Sequence, residues 1–230
     1  MFPELNERGS DSPLVERVWR SHNERAGSFT SISAPRWSLV VSRLEGRTSV
    51  SVHGPETGAT SQEVPPGLEW FGIDFRLGAF LPSLPPGLLA DGCVVLPDAN
   101  EGSFGLCGGS WLFPSFENAD TFVDRLVHRG LLTFDPVVGA IARGEDSALS
   151  PRAVQYRFLL STGLSHRTIR QIERARYAAS LLKQGWSILD TAFEAGYADQ
   201  PHLTRSLRHF IGLTPTEVAT RPLVGLTPSG

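Results

Sequence analysis

Two kinds of hydrophobic spacing divide the chain. Up to about residue 112 the apolar residues come in short runs broken by glycine and proline, with period-two alternation inside the runs. Residues 37–44 (WSLVVSRL) and 48–53 (TSVSVH) read as strands, with Glu45-Gly46-Arg47 as a hairpin-sized interruption. Residues 54–67 read as loop or edge material. Residues 68–77 (LEWFGIDFRL) alternate again, placing Phe71, Ile73 and Phe75 on one side and Asp74 and Arg76 on the other. Residues 93–96 (CVVL) suggest one more strand.

Beyond Trp111 the spacing turns helical. In residues 118–129, Phe122, Val123, Leu126 and Val127 share a face, Asn118 and Asp120 are candidate caps, and Gly130 is a stop. A brief helix fits residues 137–142. Ser150 caps the next, with Pro151 at its first position; Val154, Phe158 and Leu159 point inward, and Arg152, Gln155 and Tyr156 outward. Residues 168–185 form one long helix with the stripe Ile169, Ile172, Ala175, Ala179 and Leu182. Ser187 then caps a short helix with Ile188, Leu189 and Ala192 inward, closed by Gly196. Asp199 caps residues 200–210, where Leu203, Leu207 and Phe210 face inward and Gln200, Thr204, Arg205 and Arg208 face solvent.

A short helix, a glycine turn and a second helix with an arginine-bearing face is a helix-turn-helix pattern. The spacing from Ser150 to Val154 and Phe158 repeats that from Asp199 to Leu203 and Leu207, so the array reads as a diverged duplicate. The fold class is α+β. Residues 1–133 make a β-rich domain closed by a helix, residues 134–221 an all-α domain with two helix-turn-helix units joined by a linker helix, and residues 222–230 a flexible tail.

Charge sharpens this division. The whole chain carries a formal net charge of -3, which by itself disfavours a nucleic-acid partner. Residues 1–133 hold 10 basic and 16 acidic side chains, whereas residues 134–230 hold 11 basic and 8 acidic. The helical half is thus mildly positive, and 20 of the 21 basic residues are arginine, whose planar fork suits phosphates and base edges. No apolar run is long enough to span a membrane, the acidic start is not a secretory signal, and two cysteines build no disulfide framework; a cytoplasmic protein is expected.

Catalytic chemistry finds little support. His22, His53 and His128 are scattered without metal-ligand spacing, so no metal or cofactor is expected. Cys107 has no CxxC partner and reads as a buried small hydrophobe. Glu69 and Asp74 lie five apart on an alternating strand and face opposite sides. Trp70, Phe71 and Trp111 read as packing residues. The chain is not read as an enzyme.

The stretch SILDTAFEAGYADQPHLTRSLRHFIGLTP resembles the signature of the AraC/XylS family of transcription regulators, and LSPRAVQYRFLLSTGLSHRTIRQIERARYAASLL resembles that family's first recognition helix and connecting helix. The resemblance implies that two recognition helices, about residues 151–160 and 200–210, enter successive major grooves of double-stranded DNA. By position, Gln200, Thr204 and Arg205 would read bases in the second unit and Arg152 and Gln155 in the first, while Arg208, Arg167 and Arg170 would touch phosphates or pack. Two residues depart from the pattern: Pro201 replaces a polar side chain and Tyr156 a common arginine. The first unit is also short. Arg143-Gly144 stands where the family has a Leu-Ala pair, which predicts either a trimmed unit or a helix supplied by residues 122–127. The N-terminal half resembles the sensory or dimerisation domains that precede such helices. It implies a small-molecule effector or a homodimer, with RNA polymerase a further partner for an activator. A protein-interaction scaffold with little DNA binding is the alternative.

Overall fold

A computed structural model describes residues 4–99, 102–221 and 223. The strands and helices follow in the order β1 (Glu4–Arg8), β2 (Val15–His22), β3 (Gly27–Ser31), β4 (Ser38–Leu44), β5 (Arg47–His53), β6 (Thr60–Val64), β7 (Glu69–Phe75), β8 (Ala79–Phe80), β9 (Cys93–Val95), β10 (Ser103–Leu106), β11 (Gly109–Leu112), α1 (Ala119–His128), β12 (Thr133–Phe134), α2 (Pro136–Ala142), α3 (Pro151–Thr162), α4 (His166–Lys183), α5 (Ile188–Glu194), α6 (Gln200–Phe210) and α7 (Pro215–Thr220). A 3-10 turn at Pro86–Leu88 lies between β8 and β9. A β-rich N-terminal half therefore precedes an all-helical C-terminal one. Among the described residues no helix is long and apolar enough to cross a membrane. The tail expected at 222–230 lies, Leu223 apart, outside the described residues.

The chain folds into two compact units whose membership does not follow sequence order. The first takes the chain up to Gly27, Arg36–Pro55 and Val64–His166; the second takes Ser28–Pro35, Glu56–Glu63 and the chain from Arg167 onward.

In the first unit a six-stranded sheet runs β1-β2-β7-β4-β5-β9, with antiparallel pairing at each step. Glu45 (φ 50°) and Gly46 (φ 77°) both adopt left-handed backbone and close the β4–β5 hairpin in two residues. The register lays Val18, Ile73, Leu39 and Val52 in one row across four strands, each at most 1% exposed. Against that face pack Phe104, Leu106 and Trp111 of the β10–β11 hairpin and Phe122, Val123 and Leu126 of α1. Trp37 stacks on Phe75 with ring centroids 3.9 Å apart and donates Nε1–H to the Ala79 carbonyl at 2.7 Å.

Several local expectations are corrected here. Asn118 occupies the N-cap position of α1 without capping it; its Oδ1 accepts from the Ser115 N–H instead. Asp120 pairs with Arg8 and Ser10. Val127 is exposed, because the α1 face that meets the sheet is already filled by Ala119, Phe122, Val123 and Leu126. Cys107 is also exposed. It holds a left-handed backbone (φ 52°) at the tip of the β10–β11 hairpin, where side chains point away from the core.

The first unit also contains α2 and α3. Asp135 caps α2 by accepting from the N–H groups of Val137 and Val138, and holds Arg157 of α3 at 3.0 Å. Phe158 is buried, Val154 half-buried, and Leu159 exposed rather than inward. Only α2 directly precedes α3. Within residues 122–127, Phe122, Val123 and Leu126 are committed to the sheet core, so the first helix-turn-helix unit is trimmed rather than completed by α1.

His53 gives this unit a pH dependence. Its imidazole bonds the Ser51 hydroxyl at 2.9 Å, and burial pushes its pKa below the ordinary value while the Asp74 charge opposes the shift. Below about pH 6.5 the unfolded chain takes up a proton that the folded chain resists, so stability is lost as pH falls through that range. Melting between about pH 7.5 and 5.5 is expected to shift downward more in wild type than in His53→Gln. Equal shifts would remove His53 as the cause.

In the second unit α4 buries Ile169, Ile172, Ala175, Ala179 and Leu182, as their spacing predicts, and also Ala178, Leu181 and Arg176. Ser187 caps α5 and Asp199 caps α6. Thr214 and Glu217 form a reciprocal capping box at α7. Strands β3 and β6 pair as a separate two-stranded ribbon.

Candidate nucleic-acid interface

The geometry of α6 begins with the turn before it. After α5 the chain reverses through Gly196 (φ 69°), and the Tyr197 N–H donates to the Ala192 carbonyl at 2.8 Å. Ala192 is buried at 3% exposure, consistent with a small residue where two crossing helices touch. The Asp199 carboxylate then accepts the His202 N–H at 2.7 Å, starting α6 on a satisfied donor. Leu203 and Leu207 are fully buried and Phe210 nearly so, which fixes the helix about its own axis.

That rotation leaves Gln200, Arg205 and Arg208 exposed and Thr204 half-exposed. The Thr204 hydroxyl donates to the Gln200 carbonyl at 2.9 Å, so toward a ligand it offers lone pairs and a methyl group rather than its proton. Among the described residues the Arg205 guanidinium has no ion-pair or hydrogen-bond partner, and all five of its donors are available. Arg208 sits within electrostatic reach of Glu217. That carboxyl is held below its usual range first by the Thr214 backbone N–H, then by the Thr214 hydroxyl, with the Arg221 and Arg208 charges adding. Arg152 and Gln155 are exposed on α3, in the other compact unit. The structure therefore gathers four of the six expected site residues on one helix.

Leu189 does not point inward as its spacing suggested. It is 71% exposed, and Phe193, one turn on, is 87% exposed. The helix α5 is seven residues long and is seated by the buried Thr191 and Ala192, with Ile188 half-buried beside them.

Sequence reasoning missed the clamp behind α6. The Tyr197 ring is covered by the Arg174 guanidinium of α4 at 4.4 Å and meets the His202 ring edge-on at 5.1 Å. Its hydroxyl bonds Ser206 of α6 at 2.9 Å. Burial pushes the Tyr197 phenol above its ordinary pKa, with Ser206 and Arg174 opposing. One signal was present in the sequence: a tyrosine in an otherwise small and polar turn has to bury its ring somewhere.

Among the described residues no group of three His, Cys, Asp or Glu side chains could hold a metal ion. An open groove of about 460 Å³ lies on the first unit, lined by Arg20, Arg43, His22, Trp70, Phe71 and Phe116, among others.

The family model described as a helix-turn-helix domain matches residues 145–221. The HTH-type transcriptional regulator RipA of Corynebacterium glutamicum is 40% identical over 76 residues, which is 33% of this chain and 23% of that protein. The matched segment holds α3 to α7, with the caps, turn and buried positions described above. Residues 145–221 form a helix-turn-helix domain similar to a segment of that regulator. The chain thus shares with RipA a segment under a quarter of that regulator's length. A solved structure of ToxT from Vibrio cholerae superposes on 94% of this chain and 97% of its own at 11% identity and a TM-score of 0.36. Another, from Vibrio cholerae O395, covers 95% and 99% at 12% identity and 0.33. Both α3 and α6 lie inside the matched segment.

Proposed function

We propose that the chain is a sequence-specific DNA-binding transcription regulator whose AraC/XylS-type domain reads the major groove. The observation that carries this reading is α6 itself: a capped helix after a tight turn, seated by Leu203, Leu207 and Phe210, with Gln200, Thr204 and an Arg205 that has no partner among the described residues outward. A recognition helix needs this division between a fixed apolar side and a free polar one. Arg205 addresses a guanine edge, Gln200 and Thr204 neighbouring bases, and Arg208 the phosphates. Arg152 and Gln155 serve the same purpose on α3.

Selection of bound duplexes from a random pool by the full-length protein tests the proposal. One enriched motif is expected, with affinity falling linearly on a logarithmic salt scale by about 0.9 per phosphate contacted. Because the helical half is only mildly basic, the slope should be shallow, on the order of 3 to 5. Absence of enrichment even at low salt would favour a protein-interaction scaffold, a reading that the exposed Leu189 and Phe193 support.

The N-terminal half modulates this activity. Its groove supports a small-molecule effector. Arg20 is engaged by Glu117 at 3.3 Å and stacks on Phe116 at 4.5 Å, whereas Arg43 has no partner among the described residues. Arg20 and Arg43 are matched in the lining by Glu69 and Glu117, so the groove beside Trp70 and Phe71 suits a small molecule with a flat or apolar body and a polar group. Dimerisation through the same half is the other mode of control.

A further inference from the structure

The last turn of every helix leaves carbonyls that the helix cannot satisfy. In α6, the Leu207 carbonyl takes the N–H groups of Ile211 and Gly212, at 2.8 and 3.0 Å. The next acceptors are met from far away in sequence. The Ala59 N–H donates to the His209 carbonyl, and the Ser33 N–H to the Phe210 carbonyl, each at 2.8 Å. Both donors belong to segments that extend the β3–β6 ribbon, from the N-terminal half of the chain, and both are grouped in the second compact unit with the helices.

Ser33 is bound on its other side too. Its carbonyl accepts Nη1–H of Arg176 of α4 at 3.1 Å, and the residue has no exposed surface. One peptide segment thus bridges the linker helix and the recognition helix. The two strands leading there are tied by the Glu56 N–H on the Ala34 carbonyl at 2.8 Å and the Ser31 hydroxyl on Glu56 at 2.7 Å. The approach is close: a Cβ at Gly212 would come within 2.8 Å of the Thr30 methyl and 3.1 Å of the Ala59 Cβ.

We infer that residues 28–35 and 56–63 are working parts of the DNA-binding unit, setting the position of α6 through the backbone N–H groups of Ser33 and Ala59. This rests on the reading of α6 as a DNA-reading helix and deepens it. The segment 145–221 that the family match delimits is then incomplete by itself, because the C-terminal end of its reading helix is held by a strand pair inserted from elsewhere. Ser33 and Ala59 are positioning residues: they touch no DNA and act through α6. Their loss should therefore erode sequence-specific binding more than attraction to phosphates, since a tilted α6 misplaces Arg205 while leaving its charge in place.

Two measurements on the full-length protein test this. Residue-resolved hydrogen exchange of wild type is expected to find the Ser33 and Ala59 amides as protected as the amides of α6 itself. Exchange at the rate of open loop would overturn the inference. Ala59→Pro removes one donor and is expected to weaken binding to the selected duplex about tenfold, with binding to a random duplex changed less than about twofold. Ala59→Gly keeps the N–H and should bind as wild type. Equal losses on both duplexes, or none, would overturn the positioning role. Should Ala59→Pro fail to fold, the exchange measurement on wild type still decides. Should wild type select no duplex at all, the DNA-binding reading fails, while the exchange data decide separately whether the ribbon caps α6.

Discussion

Replacing Arg205 by alanine is expected to weaken binding to the selected duplex by about 5- to 150-fold and to flatten the base preference at one position of the motif. The range follows from the roughly 1–3 kcal/mol by which a bidentate arginine–guanine pair discriminates against other bases. Three features of the structure place Arg205 in the upper part of that range. Its guanidinium has no partner among the described residues, so no competing ion pair must break. It projects from a helix anchored by Leu203 and Leu207, both with no exposed surface. The turn before it is fastened by Tyr197, Arg174 and Ser206. Arg208→Ala is the control. It should weaken all duplexes alike and reduce the salt slope by about one unit, because a phosphate contact carries no base information. An unchanged motif with Arg205→Ala would remove that residue from base readout.

The helical half was legible in the sequence because its signals are local. Ser150, Ser187, Asp199 and Thr214 each cap the helix that follows them, and each does so through a bond to a backbone N–H two or three residues on. Such a bond needs no help from the rest of the fold. The apolar stripe of α4 is equally local. Reading failed where a helix has more apolar residues than neighbours to cover them, as at Leu159 and Leu189. Spacing alone put Gln200, Thr204, Arg205 and Arg208 on the solvent face of one helix, while their candidacy as DNA contacts came from the resemblance.

The N-terminal half was less legible, for two reasons. Strand β2 is paired on both sides in the sheet, yet a register shift between Val15 and Arg17 breaks its alternation. Its inward face also ends in Arg20 and His22, which line the groove, so VERVWRSH carries no clean period-two signal. The second reason is tertiary. Nothing in residues 28–35 or 56–63 states that their backbone donors belong with α6, because that partnership is about 150 to 180 residues distant along the chain. The charge split near residue 133 marked a change of composition, whereas the compact units exchange segments across it.

The largest stability effect in the first unit is expected at Asp74, whose role the sequence pattern conceals. Alternation places Asp74 on the face opposite Ile73 and Phe75, where a carboxylate would ordinarily meet water. It is instead 9% exposed. Trp19 lies across Gly72, its cross-strand partner, so closely that a Cβ there would come within 2.3 Å of the indole ring. Under that lid the Asp74 carboxylate accepts Trp19 Nε1–H at 2.9 Å and Arg17 Nε–H at 2.7 Å. Burial alone would lower the pKa of the Arg17 guanidinium, but the charges and hydrogen bonds of Asp74 and then Glu7 more than offset it, and the pKa is raised. Asp74→Ala leaves the indole N–H without its acceptor and the mostly buried Arg17 without its shorter ion pair, with Glu7 still in reach at 3.1 Å, which costs about 3 kcal/mol. At 2–4 °C per kcal/mol for a chain of this size, the melting transition should fall by roughly 6–12 °C. Asp74→Asn keeps the shape and one acceptor, so its loss should be smaller. Gly72→Ala, which displaces the indole without touching the charges, should lower the same transition. A shift below about 2 °C for Asp74→Ala would mean that Arg17 finds Glu7 or water at little cost, and that the indole lid rather than the ion pair holds this face of the sheet.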